Sequence, residues 1–266
     1  MNNEVEQFKK RIHELSDTAY TNSQYLFSDF LSEAEISDLL QAAGNAAAAI
    51  AEGKCVVTSA YPAGITLYGG HDDATRRIAR FGSMEAFAYE EDFPIRIIHI
   101  RPIIEKFADN FSHRDFLGAI LNLGIDRRVT GDILTNGTEA YLFCTENIAD
   151  FIIDNLDKVK HTNVVCELVD ESPVSMQPTL KRHSYQISSE RIDAIVAAVT
   201  NLSRSKAVEL FRSKKVFVNS RLEENPSAQI SAGSSISIRG FGKMRYEGVD
   251  RTTRKGKLNI IVDRYE

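Results

Sequence analysis

The order in which hydrophobic periodicity changes along residues 93–170 limits this chain more than any other feature. Ile95-Arg96-Ile97-Ile98-His99-Ile100 has the β-branched composition of a strand. Ser112 then opens a helical stretch over 113–123, in which Phe116, Leu117, Ile120 and Leu121 recur at helical spacing. Residues 132–135 and 138–144 flank Asn136-Gly137, the dipeptide preferred in tight hairpin turns. Ile148, Phe151, Ile152 and Leu156 mark a second helix over 147–159, and Val164-Val165-Cys166-Glu167-Leu168-Val169 closes as a strand. The order βαββαβ predicts a ferredoxin-like layer, with two helices on one face of an antiparallel sheet.

RRM domains share that arrangement and bind RNA through aromatics on the sheet face. Tyr141 and Phe143 alternate with Leu142 and so fall on one face, but no basic, glycine-rich run surrounds them. Core packing is the expectation for both. Arg114, Arg127 and Arg128 flank the first helix and read as a solvated face before a phosphate patch. Upstream, residues 1–53 read as helical, with Ser32 and Glu35 spaced as a capping box. From Cys55 a strand leads to a turn at Pro62-Ala63-Gly64 and returns over Ile65 to Tyr68. Gly69-Gly70-His71-Asp72-Asp73 reads as a solvated loop, and no Gly-Lys-Ser/Thr follows to make it a nucleotide-phosphate loop. Residues 173–187, with Pro173, Pro178 and several serines, read as a linker. The expected organisation is therefore multi-domain α+β: a helical and hairpin region over 1–90, an RRM-like domain over 91–172, the linker, and a small α+β module over 188–266.

Charge divides along the same line. Residues 1–176 carry 15 Lys+Arg against 28 Asp+Glu, and residues 177–266 carry 17 against 9. The net of −13 in the first part and +8 in the second points to a polyanionic partner at the C-terminal end. No apolar run reaches the roughly 18 residues of a membrane span. The polar start, Met1 to Arg11, lacks a signal-peptide pattern, so a cytoplasmic protein is expected. Cys55, Cys144 and Cys166 are far apart and read as reduced thiols, not as disulfide or zinc ligands.

In the C-terminal module, Ser188 or Ser189 precedes a helix reaching Thr200, with Ile192, Ile195, Val196 and Val199 on one stripe flanked by Arg191 and Asp193. Ser203 caps a second short helix over 204–212, followed at once by a strand over 216–219. Asn225-Pro226 marks a turn, and Ser235-Ile236-Ser237-Ile238 alternates as a strand. Cations gather at both ends of the second helix, where serine hydroxyls and helix-end amides are suited to phosphate oxygens. The following tail interleaves Gly240, Gly242, Gly248 and Gly256 with Lys and Arg, and Tyr246 is placed to stack on a base. The candidate RNA-contacting residues are Arg191, Ser203, Arg204, Ser205, Lys206, Arg212, Lys214, Lys215 and Asn219, with Lys243, Arg245, Arg254, Lys255 and Lys257 from the tail. Alanine in place of Arg191 or Arg204 is expected to weaken binding with little loss of folding.

Ser189-Glu190-Arg191-Ile192-Asp193, Leu202-Ser203-Arg204-Ser205-Lys206-Ala207 and Val216-Phe217-Val218-Asn219 resemble the S4 RNA-binding domain at the spacing that domain shows. Lys214 and Ser220 stand where glycine is frequent in it. The chain as a whole is similar to the YlmH family: Gly69-Gly70 with Ala74-Thr75-Arg76-Arg77 matches a stretch of that family, with Thr75 replacing its usual acid. Arg239-Gly240-Phe241-Gly242-Lys243 and Thr253-Arg254-Lys255-Gly256-Lys257 resemble its basic tail. The resemblance implies binding to the large ribosomal subunit, with rRNA and tRNA as partners, and a part in rescuing stalled subunits that carry peptidyl-tRNA.

Nothing in the residues calls for a cofactor, a small-molecule substrate or a membrane, and His13, His71, His99, His113, His161 and His183 show no metal spacing. A pseudouridine synthase needs a large catalytic domain, normally after its S4 domain, whereas 28 residues follow Ile238. A methyltransferase needs a glycine-rich cofactor loop after a strand, and none is present. The expectation is a non-enzymatic binder with no catalytic residue. The alternatives are an S4-containing RNA-modifying enzyme, betrayed by a polar pocket around Gly69 to Arg80, and a cell-division adaptor, betrayed by an exposed apolar patch on 1–53.

Overall fold

The computed structural model describes residues 2–104, 106, 109–173, 180–219, 221–254 and 256–265, with the side chains of residues 2–4 and 265 left aside. It divides into two compact units, Met1–Gln177 and Pro178–Glu266. No helix among the described residues is long and apolar enough to cross a membrane.

The first unit opens with α1 (Asn2–Asn22), β1 (Leu26–Leu31), α2 (Glu33–Ala43), α3 (Ala47–Ala51), β2 (Ile65–Tyr68), β3 (Arg77–Phe81) and the short α4 (Met84–Phe87). Ser32 caps α2 in the expected way, donating its N–H to Glu35 at 2.7 Å while its hydroxyl accepts from the Glu35 N–H. The all-helical expectation for 1–53 is corrected by β1, which lies antiparallel to β3 in a sheet of order β1-β3-β2. Phe30 and Leu31 of β1 are buried, and so is all of β3 from Ile78 to Phe81. Burial of both faces removes the alternation by which a strand is recognised.

The βαββαβ order follows as β4 (Ile95–Pro102), α5 (His113–Leu121), β5 (Thr130–Thr135), β6 (Ala140–Thr145), α6 (Glu146–Asn155) and β8 (Thr162–Val169), with a two-residue β7 (Lys158–Val159) between α6 and β8. The strand order β5-β6-β4-β8-β7, antiparallel throughout, is that of the ferredoxin-like layer. The β5–β6 connection is a four-residue loop rather than a two-residue turn. The Asn136 side-chain oxygen accepts from the N–H groups of Thr138 and Glu139 at 3.0 and 3.1 Å, and Gly137 takes φ 97°.

One face of this sheet packs on α5 and α6 through Ile98, Ile100, Leu142 and Cys144. Tyr141 and Phe143, on the other face, pack with Phe30 and Ile78 from the β1–β3 layer. Gly70 and Gly131 permit the approach: a Cβ on Gly70 would lie 2.3 Å from the Phe143 ring, and one on Gly131 would lie 2.7 Å from Phe30. The boundary expected at residue 90 is thus crossed by a shared core. The aromatics are core, as expected, because the N-terminal layer covers them.

The second unit comprises β9 (Leu180–Ile187), α7 (Ile192–Thr200), α8 (Arg204–Arg212), β10 (Val216–Val218), β11 (Arg221–Leu222), β12 (Ser234–Ile238), β13 (Gly242–Thr252) and β14 (Leu258–Tyr265). They form one six-stranded sheet of order β11-β10-β12-β13-β14-β9. Residues 180–187, expected as linker, pair along their whole length with β14, from Leu180↔Tyr265 to Ile187↔Leu258. His183, Tyr185 and Ile187 alternate inward between exposed polar neighbours, a period of two obscured by low hydrophobicity. Residues 174–179 lie outside the described residues. Ile192, Ile195, Val199, Phe211, Ile236, Met244, Tyr246 and Val262 share one core, so the expected basic tail supplies two of the sheet's six strands, β13 and β14. Tyr246 does not stack on a base: it is fully buried, and its hydroxyl donates to Glu190 at 2.6 Å.

Candidate nucleic-acid interface

α7 begins at Ile192, with Arg191 as its N-cap, instead of at the expected serines. This places Asp193 in the first turn, where it is 2% exposed. Two arginines close on it. Arg191 donates from Nε and Nη2 at 3.2 and 3.0 Å, and Arg204, the first residue of α8, donates from Nε and Nη2 at 3.1 and 3.0 Å. Burial pushes the Asp193 carboxyl up, but the hydrogen bonds from Arg204 and Arg191 outweigh it and hold the group below the usual range. The Arg204 guanidinium is correspondingly raised by its hydrogen bond to Asp193. Both arginines keep over a third of their side chains in solvent, 41% and 47%, so each presents an outer edge while its inner edge is fixed.

That geometry argues against the expectation that Arg191 or Arg204 can be replaced with little loss of folding. Both balance one buried carboxylate, so replacing either leaves the other to hold it alone and costs about 1 to 3 kcal/mol in lost hydrogen bonds to a charged group.

Around this clasp lie cations of a different kind. Lys206 in the first turn of α8, Arg212 in its last turn and Lys215 just beyond are exposed and have no ion-pair partner among the described residues. Ser203 caps α8 by accepting from the Lys206 N–H at 3.4 Å, and its hydroxyl lies 3.1 Å from that of Ser205. Lys214 adopts φ 55°, keeping the left-handed turn with lysine where glycine is frequent in the S4 pattern, and meets Glu224 at 3.4 Å on the surface. Asn219 serves the sheet: its N–H donates to the Ser235 carbonyl at 2.8 Å, and its side-chain oxygen accepts from the Ser235 N–H at 2.9 Å.

The tail residues belong to the β13–β14 hairpin. Arg254 and Lys257 stand exposed at its tip, which is closed by the Thr253 N–H donating to the Lys257 carbonyl at 2.7 Å. Lys255 lies outside the described residues. Lys243 and Arg245 sit lower on β13, opposite Ser237 and Ser235 of β12. Arg245 hydrogen-bonds Glu247 and lies 3.9 Å from Asp263, a 4% exposed carboxylate that also accepts from Arg182 at 3.0 and 3.1 Å. The Arg182 hydrogen bonds are the main cause holding Asp263 below the usual carboxylate range. A second arginine clasp therefore exists, across β9, β14 and β13. Sequence reading missed Arg182 because it lies in the expected linker; the alternation of His183, Tyr185 and Ile187 was the signal available.

In the first unit Arg76 and Arg127 face inward, while Arg96, Arg101 and Arg128 stay at the surface in ion pairs. Arg127 donates to the carbonyls of Thr130 and Gly131 at 2.9 and 2.8 Å, and burial with Arg76 nearby pushes it down to about 10. Arg128 pairs with Asp126 at 2.9 Å. His71, expected in a solvated loop, is 6% exposed, with Nε2 3.4 Å from Asp132. Asp132 in turn accepts from the N–H and hydroxyl of Thr75 at 2.6 and 2.7 Å. The Gly69 to Arg80 region is thus a largely buried joint between two sheets, with Asp72 at the surface. No group of three or more potential metal ligands occurs among the described residues.

The chain is thus a two-unit α+β protein, with a ferredoxin-like layer in an acidic first unit and a clasped, basic surface on the second. The family described as "Putative RNA-binding domain in YlmH" matches residues 89–172. The ribosome-associated protein quality control protein P2 of Bacillus subtilis (strain 168) is 30% identical over 212 residues, covering 78% of this chain and 80% of that protein. The solved cell division protein ylmH from Streptococcus pneumoniae is 15% identical with a TM-score of 0.48, over 65% of this chain and 94% of that one. The chain belongs to the YlmH family.

Proposed function

We propose that the protein is a cytoplasmic, non-enzymatic RNA-binding protein that engages rRNA and tRNA on the large ribosomal subunit through an S4-type second unit, in the rescue of stalled translation. The observation that carries this reading is the Arg191–Asp193–Arg204 clasp beside the exposed Lys206, Arg212 and Lys215. A guanidinium whose inner edge is fixed loses little freedom on meeting a phosphate, and the unpaired cations supply counterion release. The printed name of the Bacillus subtilis relative supports the ribosomal setting. The burial of His71 against Asp132, a carboxylate that Thr75 also holds, supports binding over catalysis at the stretch most suspect for it.

The test is co-sedimentation of the full chain with large subunits, beside the variant Lys206→Ala/Arg212→Ala/Lys215→Ala. These side chains have no ion-pair partner to lose, so folding is expected to be unchanged. Binding should weaken by about one to two orders of magnitude, and the slope of log K against log salt should shallow by about 2 to 3. Undiminished co-sedimentation of the variant would remove this surface from the account.

A further inference from the structure

Strand β8 is paired on one side only over most of its length. β4 runs beside it from Ile97↔Val169 to Pro102↔Val164, whereas β7 meets it only at Asn163 and Thr162. Among the described residues no strand covers the other edge from Val165 to Val169. Val165 and Leu168 are 36% and 49% exposed there, and neither lysine, proline nor a bulge interrupts the stretch in the way that protects natural edges.

At the end of this edge lies a groove of about 540 Å³. Tyr68, Phe93 and Leu168 give it an apolar lining; Tyr68 is 41% exposed and lies 5.4 Å from the Phe93 ring. Asp92, Asp150 and Asp170 also line it and have no ion-pair partner among the described residues. Its arginine, Arg96, is already paired with Glu146. Residues 89–172 carry 8 Lys+Arg against 16 Asp+Glu. A phosphate chain would meet like charge here.

We infer that this edge and groove form a docking site for an extended, cationic polypeptide segment. The segment would add as a strand beside β8, with apolar side chains over Leu168 and lysine or arginine side chains meeting Asp150, Asp170 and Asp92. Backbone pairing supplies the attachment and the carboxylates supply the preference for basic sequence. The site uses no residue of the second unit and does not depend on the function proposed for its cations.

The experiment is a fluorescence-anisotropy titration of the full chain with a short fluorescein-labelled peptide of alternating lysine and valine. A labelled oligouridylate is titrated in parallel. Asp150→Asn/Asp170→Asn should weaken peptide binding by about tenfold, which corresponds to about 1.4 kcal/mol. Leu168→Pro, which removes an edge N–H, should weaken it comparably. Glu6→Gln/Glu14→Gln, which removes two charges from α1, should leave it unchanged, as should Lys206→Ala/Arg212→Ala/Lys215→Ala. The inference is overturned if wild type does not bind the peptide, or if the α1 variant loses as much as the groove variant. Loss of oligouridylate binding in Asp150→Asn/Asp170→Asn would instead make the groove a nucleic-acid surface and would equally overturn it. Asp150 and Asp170 are exposed, so that variant decides the matter even if Leu168→Pro does not fold.

Discussion

In the first unit Arg76 and Arg127 turn inward and donate to main-chain oxygens, whereas in the second Arg191 and Arg204 converge from the surface on one buried carboxylate. Arg76 alone donates to the carbonyls of Thr130, Phe30 and Arg127 at 2.9, 2.8 and 3.0 Å, stitching the N-terminal layer to the ferredoxin-like layer. Its guanidinium is held below its usual range, first of all by burial. In the second unit a short carboxylate supplies the inner contact, and the rest of the guanidinium stays in water. The same side chain is mortar where its partners are carbonyls and a presented charge where its partner is a buried aspartate.

Arg76→Ala gives the largest expected effect. Three carbonyls lose a charged donor, although those of Thr130 and Arg127 keep another, from Arg127 and from the Thr130 hydroxyl, and each hydrogen bond lost to a charged group costs about 1.5 kcal/mol. Urea unfolding of the full chain should show the first unit destabilised by about 3 kcal/mol or more, with RNA affinity unchanged. Loss of RNA binding in a folded Arg76→Ala protein would erase the division of labour.

Alkaline pH should separate the units less steeply. Burial pushes the thiols of Cys144 and Cys166, both in the first unit, up to about 12. A raised acid favours the folded state while it stays neutral. Its contribution is therefore complete below the ordinary thiol value near 9 and is lost as pH rises through the folded value. Each thiol should cost the first unit roughly 1.4 kcal/mol per pH unit in that window. Unfolding midpoints measured between pH 8 and 11 should fall for wild type and fall less steeply for Cys144→Ala/Cys166→Ala, the remaining slope above pH 10 coming from buried tyrosines such as Tyr61, which burial pushes up to about 12.

Lys214→Gly is the smallest change. The left-handed φ of 55° costs a lysine about 1 kcal/mol, and glycine returns part of that through a more flexible unfolded chain. A gain of about 0.5 kcal/mol in the second unit is expected by thermal unfolding, and a loss would mean that the Glu224 ion pair outweighs the backbone term.

Much of this division was readable from residue order. The βαββαβ spacing located the ferredoxin-like layer, and Ser203 with its following apolar residues located α8 to the residue. The charge split marked which part carries cations in excess of carboxylates. What escaped did so because partners lie far along the chain. β1 and β3 are buried by contact with each other and with Phe143, β9 finds its mate in β14 some 80 residues on, and Asp193 looks like a surface helix residue until Arg204 is seen across from it. Tyr246 was misread for the same reason: the core that buries it is assembled from both ends of the second unit.

The most direct test of the clasp is an equilibrium titration of a structured ribosomal RNA fragment by Asp193→Asn and by wild type. The substitution raises the net charge by one unit, so simple electrostatics calls for tighter binding. If Asp193 works by fixing Arg191 and Arg204, affinity instead falls by about tenfold while thermal unfolding confirms a folded second unit. Equal or tighter binding by folded Asp193→Asn would contradict the account, leaving the two arginines as supports of the fold and the exposed lysines as the whole of the interface.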